Sequence, residues 1–223
     1  MRISGTLSVP GDKSLTHRAL FLASLARGES AIYGALTSLD ARSTARVLRA
    51  VGVGVGPLTS HASRLTAPLR ISGREWRRPH APLQCGNSGT TTRLGLGLMA
   101  GRRFSATFTG DRSLRRRPMR RLTDFLVQMG ASVRYGAEGR KGGGADGLPL
   151  TIKGGKLRPV SCQLPASSAQ LKGALLLAGV VGEVPVSILE PNGVSRDHTE
   201  RLLRHFGYDI STRRTDDPTN RQD

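Results

Sequence analysis

Three short polar segments contain the residues whose types and spacing suit the binding of an anionic group. Each segment precedes a run of small and apolar residues that predicts a helix. The residues of interest are Lys13, Ser14 and Arg18 in the first segment, Asn87, Ser88, Thr90 and Arg93 with the small Gly89 in the second, and Ser167, Ser168, Gln170 and Lys172 in the third. The backbone N–H groups and the dipole at a helix N-terminus favour an anion. Three such ends, each beside a Lys or Arg, predict a ligand with more than one acidic group.

Helix capping is the alternative role for these polar side chains. Ser and Thr at a helix start are most often caps, and capping alone explains any one of the three segments. The same role is expected of the acidic residues at predicted helix and turn starts, which are Asp12, Asp40, Asp111 and Asp197. His17 and His198 also lie at helix starts, where we expect packing or capping. Because a basic residue recurs in all three segments, anion binding is favoured for the set.

The three polar segments belong to an internal repeat of roughly 75 residues. Each copy continues through a small-residue helix, a glycine and a β-branched strand into a second, amphipathic helix. The glycines expected to end the first helices are Gly28, Gly101 and Gly179, and those expected to end the second helices are Gly52, Gly130 and Gly207. A glycine after a helix commonly supplies a left-handed C-terminal cap. Pro118 is expected in the first turn of the second amphipathic helix.

The repeat predicts an α/β fold of three units, at about residues 11–80, 81–155 and 156–210. The first helix of each unit is apolar nearly all round, which is typical of helices buried on every side. We therefore expect a bundle of interior helices with the sheets facing outward. Residues 135–147 are rich in glycine and predict a surface loop, and residues 211–223 lack an apolar pattern and predict a frayed tail.

The formal net charge of +18 comes almost wholly from arginine. One interpretation is a non-catalytic basic module that binds nucleic acid or another polyanion. The other is a site for small anions on an arginine-rich background. Aromatic residues make up only 4% of the chain, and none is interleaved with the basic runs as a base-stacking surface requires. Small anions are therefore the favoured ligands, and nucleic acid is not.

Other classes of protein are disfavoured by what the sequence lacks. No run approaches the roughly 18 to 20 apolar residues of a membrane span, and the N-terminus has no apolar signal core, so a cytoplasmic protein is expected. The two cysteines, Cys85 and Cys162, form no CxxC motif and have no histidine cluster beside them. We expect two reduced thiols and neither a disulfide framework nor a metal site.

Six segments resemble, in order and spacing, successive motifs of the EPSP synthases, which are enolpyruvyl transferases. They are PGDKSLTHRAL, GNSGTTTRL, GDRSLRRRPM, LPLTIKGG, ASSAQLKGALLLAG and SRDHTERLL. The resemblance extends from about Leu7 to Gly207. The related UDP-N-acetylglucosamine enolpyruvyl transferases have an Asn-rich first motif, and GDKSLTHR argues against that branch.

The resemblance implies a reaction and a set of binding residues. EPSP synthases transfer the enolpyruvyl group of phosphoenolpyruvate to the 5-hydroxyl of shikimate 3-phosphate, release phosphate, and use no metal or organic cofactor. By resemblance, Lys13 is catalytic and contacts both substrates. The other residues implied for shikimate 3-phosphate are Ser14, Arg18, Ser168, Ala169, Gln170 and Arg196, and those for phosphoenolpyruvate are Gly89, Thr90 and Arg117. Because three arginines stand together, Arg115 or Arg116 could take the place of Arg117.

Members of the family are about twice as long as this chain. Their second lobe supplies the acidic residue that acts as base, and nothing after Gly207 resembles it. We therefore expect an N-terminal half that binds substrate without turnover, with a complementary C-terminal half as a possible partner. Residues 1–10 would form a strand that belongs structurally to the second lobe.

Overall fold

The chain folds as a mixed α/β protein, and the computed structural model describes residues 9–58, 68–136, 146–191 and 193–213. Within these ranges the helices are α1 (Lys13–Leu25), α2 (Leu39–Ala50), α3 (Gly89–Ala100), α4 (Arg112–Arg115), α5 (Arg120–Gln128), α6 (Ala169–Gly182) and α7 (His198–His205). The strands are β1 (Gly28–Ile32), β2 (Gly54–Val55), β3 (Leu69–Gly73), β4 (Leu83–Gln84), β5 (Ser105–Thr109), β6 (Ser132–Tyr135), β7 (Leu150–Lys153), β8 (Val160–Gln163) and β9 (Val186–Leu189).

The strands form three small sheets. The first has the order β1-β3-β2 with antiparallel neighbours. In the second, β4 runs parallel to β5, which continues antiparallel through β7 to β6. The third described sheet is the parallel pair β8 and β9. Each sheet packs against helices, so the sheets hold the helix starts at fixed positions.

The hydrophobic core lies around α1, α3 and α6. These helices have mostly buried residues, as their nearly continuous apolar composition predicted. A small-residue contact brings α3 and α6 close together, because a Cβ atom added to Gly97 would overlap the backbone carbonyl of Ala174. This close packing fixes the position of α3 against α6, and so the start of α3 relative to the start of α6.

The glycine predictions at helix ends are partly confirmed. Gly52, Gly130 and Gly207 have φ of 92°, 112° and 85°, as expected for left-handed caps after α2, α5 and α7. Gly179 was wrongly predicted to end its helix, since α6 continues to Gly182 and ends at Glu183, whose φ is 53°. Gly179 is a packing position, because a Cβ there would lie 2.6 Å from Cγ2 of Val186.

The structure also places Pro118 and the two cysteines. Pro118 lies before the helix and not in its first turn, because Met119 is the N-cap of α5 and donates its N–H to the Asp146 carbonyl at 2.9 Å. The two cysteines are free thiols, with Cys85 buried and Cys162 half-buried. Most of the predicted strand at residues 1–10, of the loop at 135–147 and of the tail at 211–223 lies outside the described residues.

Candidate functional site

The first polar segment forms the start of α1. Asp12 caps this helix by accepting the N–H of Leu15 at 2.7 Å, which confirms its predicted role. Lys13 is the first helical residue, and its exposed side chain forms an ion pair with Asp40 of α2. The capping role predicted for Asp40 is wrong, since Ser38 caps α2. A carboxylate therefore stands beside the Lys13 ammonium group.

The second polar segment forms the start of α3. Ser88 caps this helix by accepting the N–H of Thr91 at 3.1 Å. Two arginines close over the backbone of Gly89, because a Cβ added there would lie 2.8 Å from a guanidinium nitrogen of Arg93 and 3.2 Å from one of Arg117. A side chain at position 89 would compete with these guanidinium groups for space.

The third polar segment forms the start of α6 and contacts the second. Ser168 caps α6 by accepting the N–H of Leu171 at 3.3 Å. Gln170 bridges the two segments: its side-chain oxygen accepts from Arg93 at 3.0 Å, and its nitrogen donates to Oγ1 of Thr90 at 2.9 Å. The starts of α3 and α6 are thereby joined through side chains.

A cavity of about 210 Å³ lies where these three helix starts meet. It is lined by Lys13, Asp40, Asn87, Gly89, Thr90, Arg117 and Gln170. Two cations and one carboxylate face this space, together with the polar side chains of Asn87, Thr90 and Gln170. The cavity therefore suits a small anion with several hydrogen-bond acceptors.

The structure distinguishes the three neighbouring arginines. Arg117 lines the cavity and donates to the Asn87 side-chain oxygen. Arg116 is exposed, and the Arg115 carbonyl accepts the Leu148 N–H at 3.1 Å outside the cavity lining. Arg117 is thus the member of the three that lies at Gly89.

Arg18 and Arg196 occupy different environments. Arg18 is buried, with its guanidinium donating to Thr199 Oγ1 at 2.7 Å, to the Ala169 carbonyl at 2.9 Å and to the Ser14 carbonyl at 3.1 Å. Burial lowers the pKa of Arg18, Glu200 opposes that shift, and the positive charge of Arg196 adds to it. Arg18 therefore joins α1 to the starts of α6 and α7, while the side chain of Arg196 is exposed nearby.

Lys172 does not have the role that the spacing of the third segment predicted. Its side chain is buried, and its ammonium nitrogen lies 2.7 Å from a carboxylate oxygen of both Glu190 and Glu200. Its charge is therefore neutralised inside the protein and does not face the cavity. Spacing within the segment could not reveal this, because both partners come from later elements.

A chain of buried side chains connects the first and second segments. Nδ1 of His17 lies 2.6 Å from Oγ1 of Thr44, which lies 2.7 Å from Oγ1 of Thr91. Thr91 in turn donates to Oγ of Ser88 at 2.8 Å. Packing or capping was the expected role of His17, but the two threonines that connect it to Ser88 were not identified from the sequence.

The described ranges contain neither a candidate metal site nor a candidate membrane span. No group of three or more His, Cys, Asp or Glu side chains there could hold a metal ion. No helix within the same residues is long and apolar enough to span a bilayer.

Comparison with known families extends the match to residues that the motifs did not cover. The sequence profile of EPSP synthase (3-phosphoshikimate 1-carboxyvinyltransferase) matches residues 1–220. The chain belongs to the EPSP synthase family. The repeated helix starts, the cavity between them and the motifs that line it are thus features of one EPSP synthase-family chain.

Individual relatives show the extent of the similarity. The 3-phosphoshikimate 1-carboxyvinyltransferase of Alkalilimnicola ehrlichii is 47% identical over 210 residues, which are 93% of this chain and 44% of that protein. The enzyme of the same name from a Synechococcus species is 46% identical over 94% of this chain and 45% of its own length. An EPSP synthase structure from Acinetobacter baumannii is similar with a TM-score of 0.84 and 37% identity, over 94% of this chain and 45% of that one. The chain thus spans a little under half the length of these EPSP synthase relatives.

Proposed function

We propose that this chain binds shikimate 3-phosphate and phosphoenolpyruvate as part of a 3-phosphoshikimate 1-carboxyvinyltransferase. The observation that carries the proposal is the cavity in which Lys13, Gly89, Thr90, Arg117 and Gln170 meet. Four of these five residues, which the family resemblance implies, come from three separate helix starts, and Arg117 joins them from the connection between α4 and α5. Membership in the EPSP synthase family supplies the reaction.

The phosphoenolpyruvate end is assigned to Lys13, Gly89, Thr90 and Arg117. Phosphoenolpyruvate carries a phosphate and a carboxylate, and the planar guanidinium of Arg117 can bind either group through two hydrogen bonds. The N-terminus of α3 adds backbone donors and a positive dipole end. The absence of a side chain on Gly89 leaves room beside Arg93 and Arg117.

The shikimate 3-phosphate end is assigned to Ser14, Arg18, Ser168, Ala169, Gln170 and Arg196, with Lys13 between the two substrates. Arg18 uses three of its donors on protein oxygens and so contributes mainly positive charge and order. The exposed guanidinium of Arg196 is available for the 3-phosphate. Ser168 and Ala169 present the N-terminus of α6, where an anion is favoured.

In the proposed reaction, the 5-hydroxyl oxygen bonds to C2 of the enolpyruvyl group, the C2–O bond to phosphate breaks, and inorganic phosphate leaves. The hydroxyl proton must pass to a base, which in the family is an acidic residue of the second lobe. General base catalysis contributes roughly 10²- to 10⁴-fold, and a closed cleft excludes water. We therefore propose binding without appreciable turnover by this chain alone, and restoration of turnover by a complementary C-terminal half.

The proposal includes the architecture of the site. We assign three units at about residues 11–80, 81–155 and 156–210, which together form one lobe of the two-lobed enolpyruvyl transferase fold. The order of elements supports this, because the parallel pair β4–β5 flanks α3 in the chain as β8–β9 flanks α6.

Calorimetric titration with shikimate 3-phosphate tests the proposed function. We expect one-to-one binding that persists at high salt, exceeds the affinity for inorganic phosphate and is lost in Arg196→Ala. The matched control is Arg201→Ala, which removes an exposed arginine from the same segment. Absence of binding by a folded chain contradicts the proposal. Affinity that falls steeply with salt and does not distinguish polyanions would indicate the basic-module alternative.

A further inference from the structure

A buried charge cluster, formed by Lys172, Glu190 and Glu200, lies beneath the start of α6. The side chains of these residues are only 8%, 8% and 6% exposed. The Lys172 ammonium nitrogen lies 2.7 Å from Oε2 of Glu190 and 2.7 Å from Oε1 of Glu200. Burial favours the neutral amine, but hydrogen bonds to both carboxylates reverse that effect and raise the pKa of Lys172. The ammonium group is therefore charged and is hydrogen-bonded to both carboxylates.

Glu190 connects two backbone segments on either side of the cluster. Its Oε1 accepts the N–H of Ser168 at 3.2 Å, and its Oε2 accepts the N–H of Ser195 at 3.3 Å. Ser168 is the N-cap of α6, and Ser195 directly precedes Arg196. One carboxylate thus holds both segments that we assign to shikimate 3-phosphate.

The positive charge of Lys172 compensates the negative charges of Glu190 and Glu200. Two carboxylates close to a phosphate site would repel the ligand if their charges were not compensated. Lys172 forms ion pairs with both carboxylates, and the negative charge of Glu200 also stabilises the charged form of Arg18. Lys172, Arg18, Glu190 and Glu200 together carry no net charge. The negative charge that orders the backbone is thus balanced within the protein.

Stability alone is a weak reason for such an arrangement. Buried ion pairs are often no more stabilising than apolar residues of similar volume, because both ions lose their hydration. What the cluster does provide is a fixed acceptor for two backbone donors that flank the assigned substrate groups. The ammonium group of Lys172 is paired with Glu190 and Glu200 and does not line the cavity, so it cannot serve as a direct ligand for the phosphate.

We propose that Glu190, held in place by Lys172, is a positioning residue for the phosphate end of the substrate. It orders the Ser168 N-cap and the Ser195–Arg196 segment relative to each other, so that both meet the same ligand. This inference rests on the proposed function for the identity of the ligand, but the ordering of the two amides does not depend on any ligand.

The first test measures the ordering in the free protein. Amide hydrogen exchange of Ser168 and Ser195 is compared in the wild-type chain, in Glu190→Gln and in the control Glu183→Gln, which alters an exposed glutamate at the other end of α6. We expect exchange at both amides to accelerate at least tenfold in Glu190→Gln only, because the amide side chain cannot accept both hydrogen bonds and pair with Lys172. Unchanged exchange overturns the proposal.

The second test measures the consequence for binding. We expect Glu190→Gln to weaken the affinity for shikimate 3-phosphate at least tenfold and to change the affinity for shikimate, which has no phosphate, much less. An equal loss for both ligands indicates general unfolding of the site and contradicts a role at the phosphate end. If Glu190→Gln does not fold, Glu190→Asp keeps the charge but shortens the reach and is expected to give the same split.

The two tests separate the inference from the function on which it rests. If the wild-type chain binds no shikimate 3-phosphate, the proposed function fails, and the exchange measurement alone decides whether Glu190 orders the two amides. If the wild-type chain binds and Glu190→Gln binds equally well, the proposed function stands and the positioning role is wrong.

Discussion

His17 and Thr44 form a buried hydrogen bond that joins α1 to α2, with 2.6 Å between Nδ1 and Oγ1. The Thr44 hydroxyl is hydrogen-bonded to the Thr91 hydroxyl, and Thr91 donates to Ser88, the N-cap of α3. Since each hydroxyl has one proton, Thr44 must then donate to Thr91, and Nδ1 of His17 must carry the proton that it donates to Thr44. Burial lowers the pKa of His17 to about 4. The ring is therefore neutral at pH 7, and the first two helix starts of the site are connected through uncharged groups.

The neutral state of His17 predicts a pH dependence of stability. The imidazole has a pKa of 6.5 when unfolded and about 4 when folded, so between these values the unfolded chain binds more protons. The stabilisation is fully present above pH 6.5 and decreases as the pH falls toward 4. The difference corresponds to about 3 kcal/mol in the free energy of unfolding. Urea unfolding at pH 7.5, 6, 5 and 4 measures it.

The His17 contribution can be separated from that of the carboxylates. His17→Gln removes the buried ring, and we expect the difference in unfolding free energy between wild type and variant to shrink as the pH falls from 6.5 to 4. His205→Gln, which changes an exposed histidine of α7, should run parallel to the wild type. A constant difference between wild type and His17→Gln over this range would show that His17 is not held neutral.

Thr44→Val breaks the middle of the hydrogen-bonded series without changing the shape of the side chain. The His17 N–H then lacks an acceptor, and the Thr91 hydroxyl loses its bond to Thr44 but keeps its bond to Ser88. We expect a loss of about 1–3 kcal/mol in the free energy of unfolding. Thr44→Ser keeps the hydroxyl and should recover most of that loss. Denaturant unfolding and calorimetric binding of shikimate 3-phosphate measure both effects.

A matched control for Thr44→Val is Thr123→Val. Thr123 is buried and shares a 2.6 Å hydrogen bond with the Tyr135 hydroxyl outside the cavity lining. We expect it to lower stability similarly and leave the affinity for shikimate 3-phosphate unchanged. Equal effects of the two valine variants on affinity would mean that the His17 series does not position the site.

Gly97→Ala is expected to destabilise the fold strongly. The added methyl group would overlap the Ala174 carbonyl, which is backbone and cannot move aside without shifting α6 against α3. We expect a loss of about 3 kcal/mol or more, at the upper end of overpacking effects. Gly155→Ala, where a Cβ meets no atom within 4 Å, should remain close to the wild type. Thermal or urea unfolding of both variants would decide between packing and flexibility as the reason for Gly97.

Lys13→Met should separate binding from stability. The ion pair with Asp40 is partly exposed, with side-chain exposures of 53% and 23%, and such pairs contribute at most about 1 kcal/mol. We expect a change below that value in the free energy of unfolding and at least a tenfold loss of affinity for shikimate 3-phosphate. Lys156→Met, at another exposed lysine, should change neither quantity. Retained affinity in Lys13→Met would remove Lys13 from the proposed site.

The helix starts could be predicted from the sequence because their signals are local. A polar cap followed by a continuous apolar run lies within a few residues of itself, and Asp12, Ser88 and Ser168 each accept a backbone N–H as such caps do. The left-handed glycines after α2, α5 and α7 are equally local. The prediction that Gly179 ends its helix was wrong because a glycine that permits close packing cannot be distinguished in the sequence from a glycine that ends a helix.

Motifs and periodicity along the chain were enough to predict the family, the α/β class and the polar segments that line the cavity. Which cations face the cavity could be read only from the folded protein. Arg117 faces it and Lys172 does not, because Glu190 and Glu200 approach Lys172 from later elements and neutralise it in the interior. The charge of a side chain is a property of its sequence position, but whether that charge reaches a ligand depends on the partners that folding brings to it.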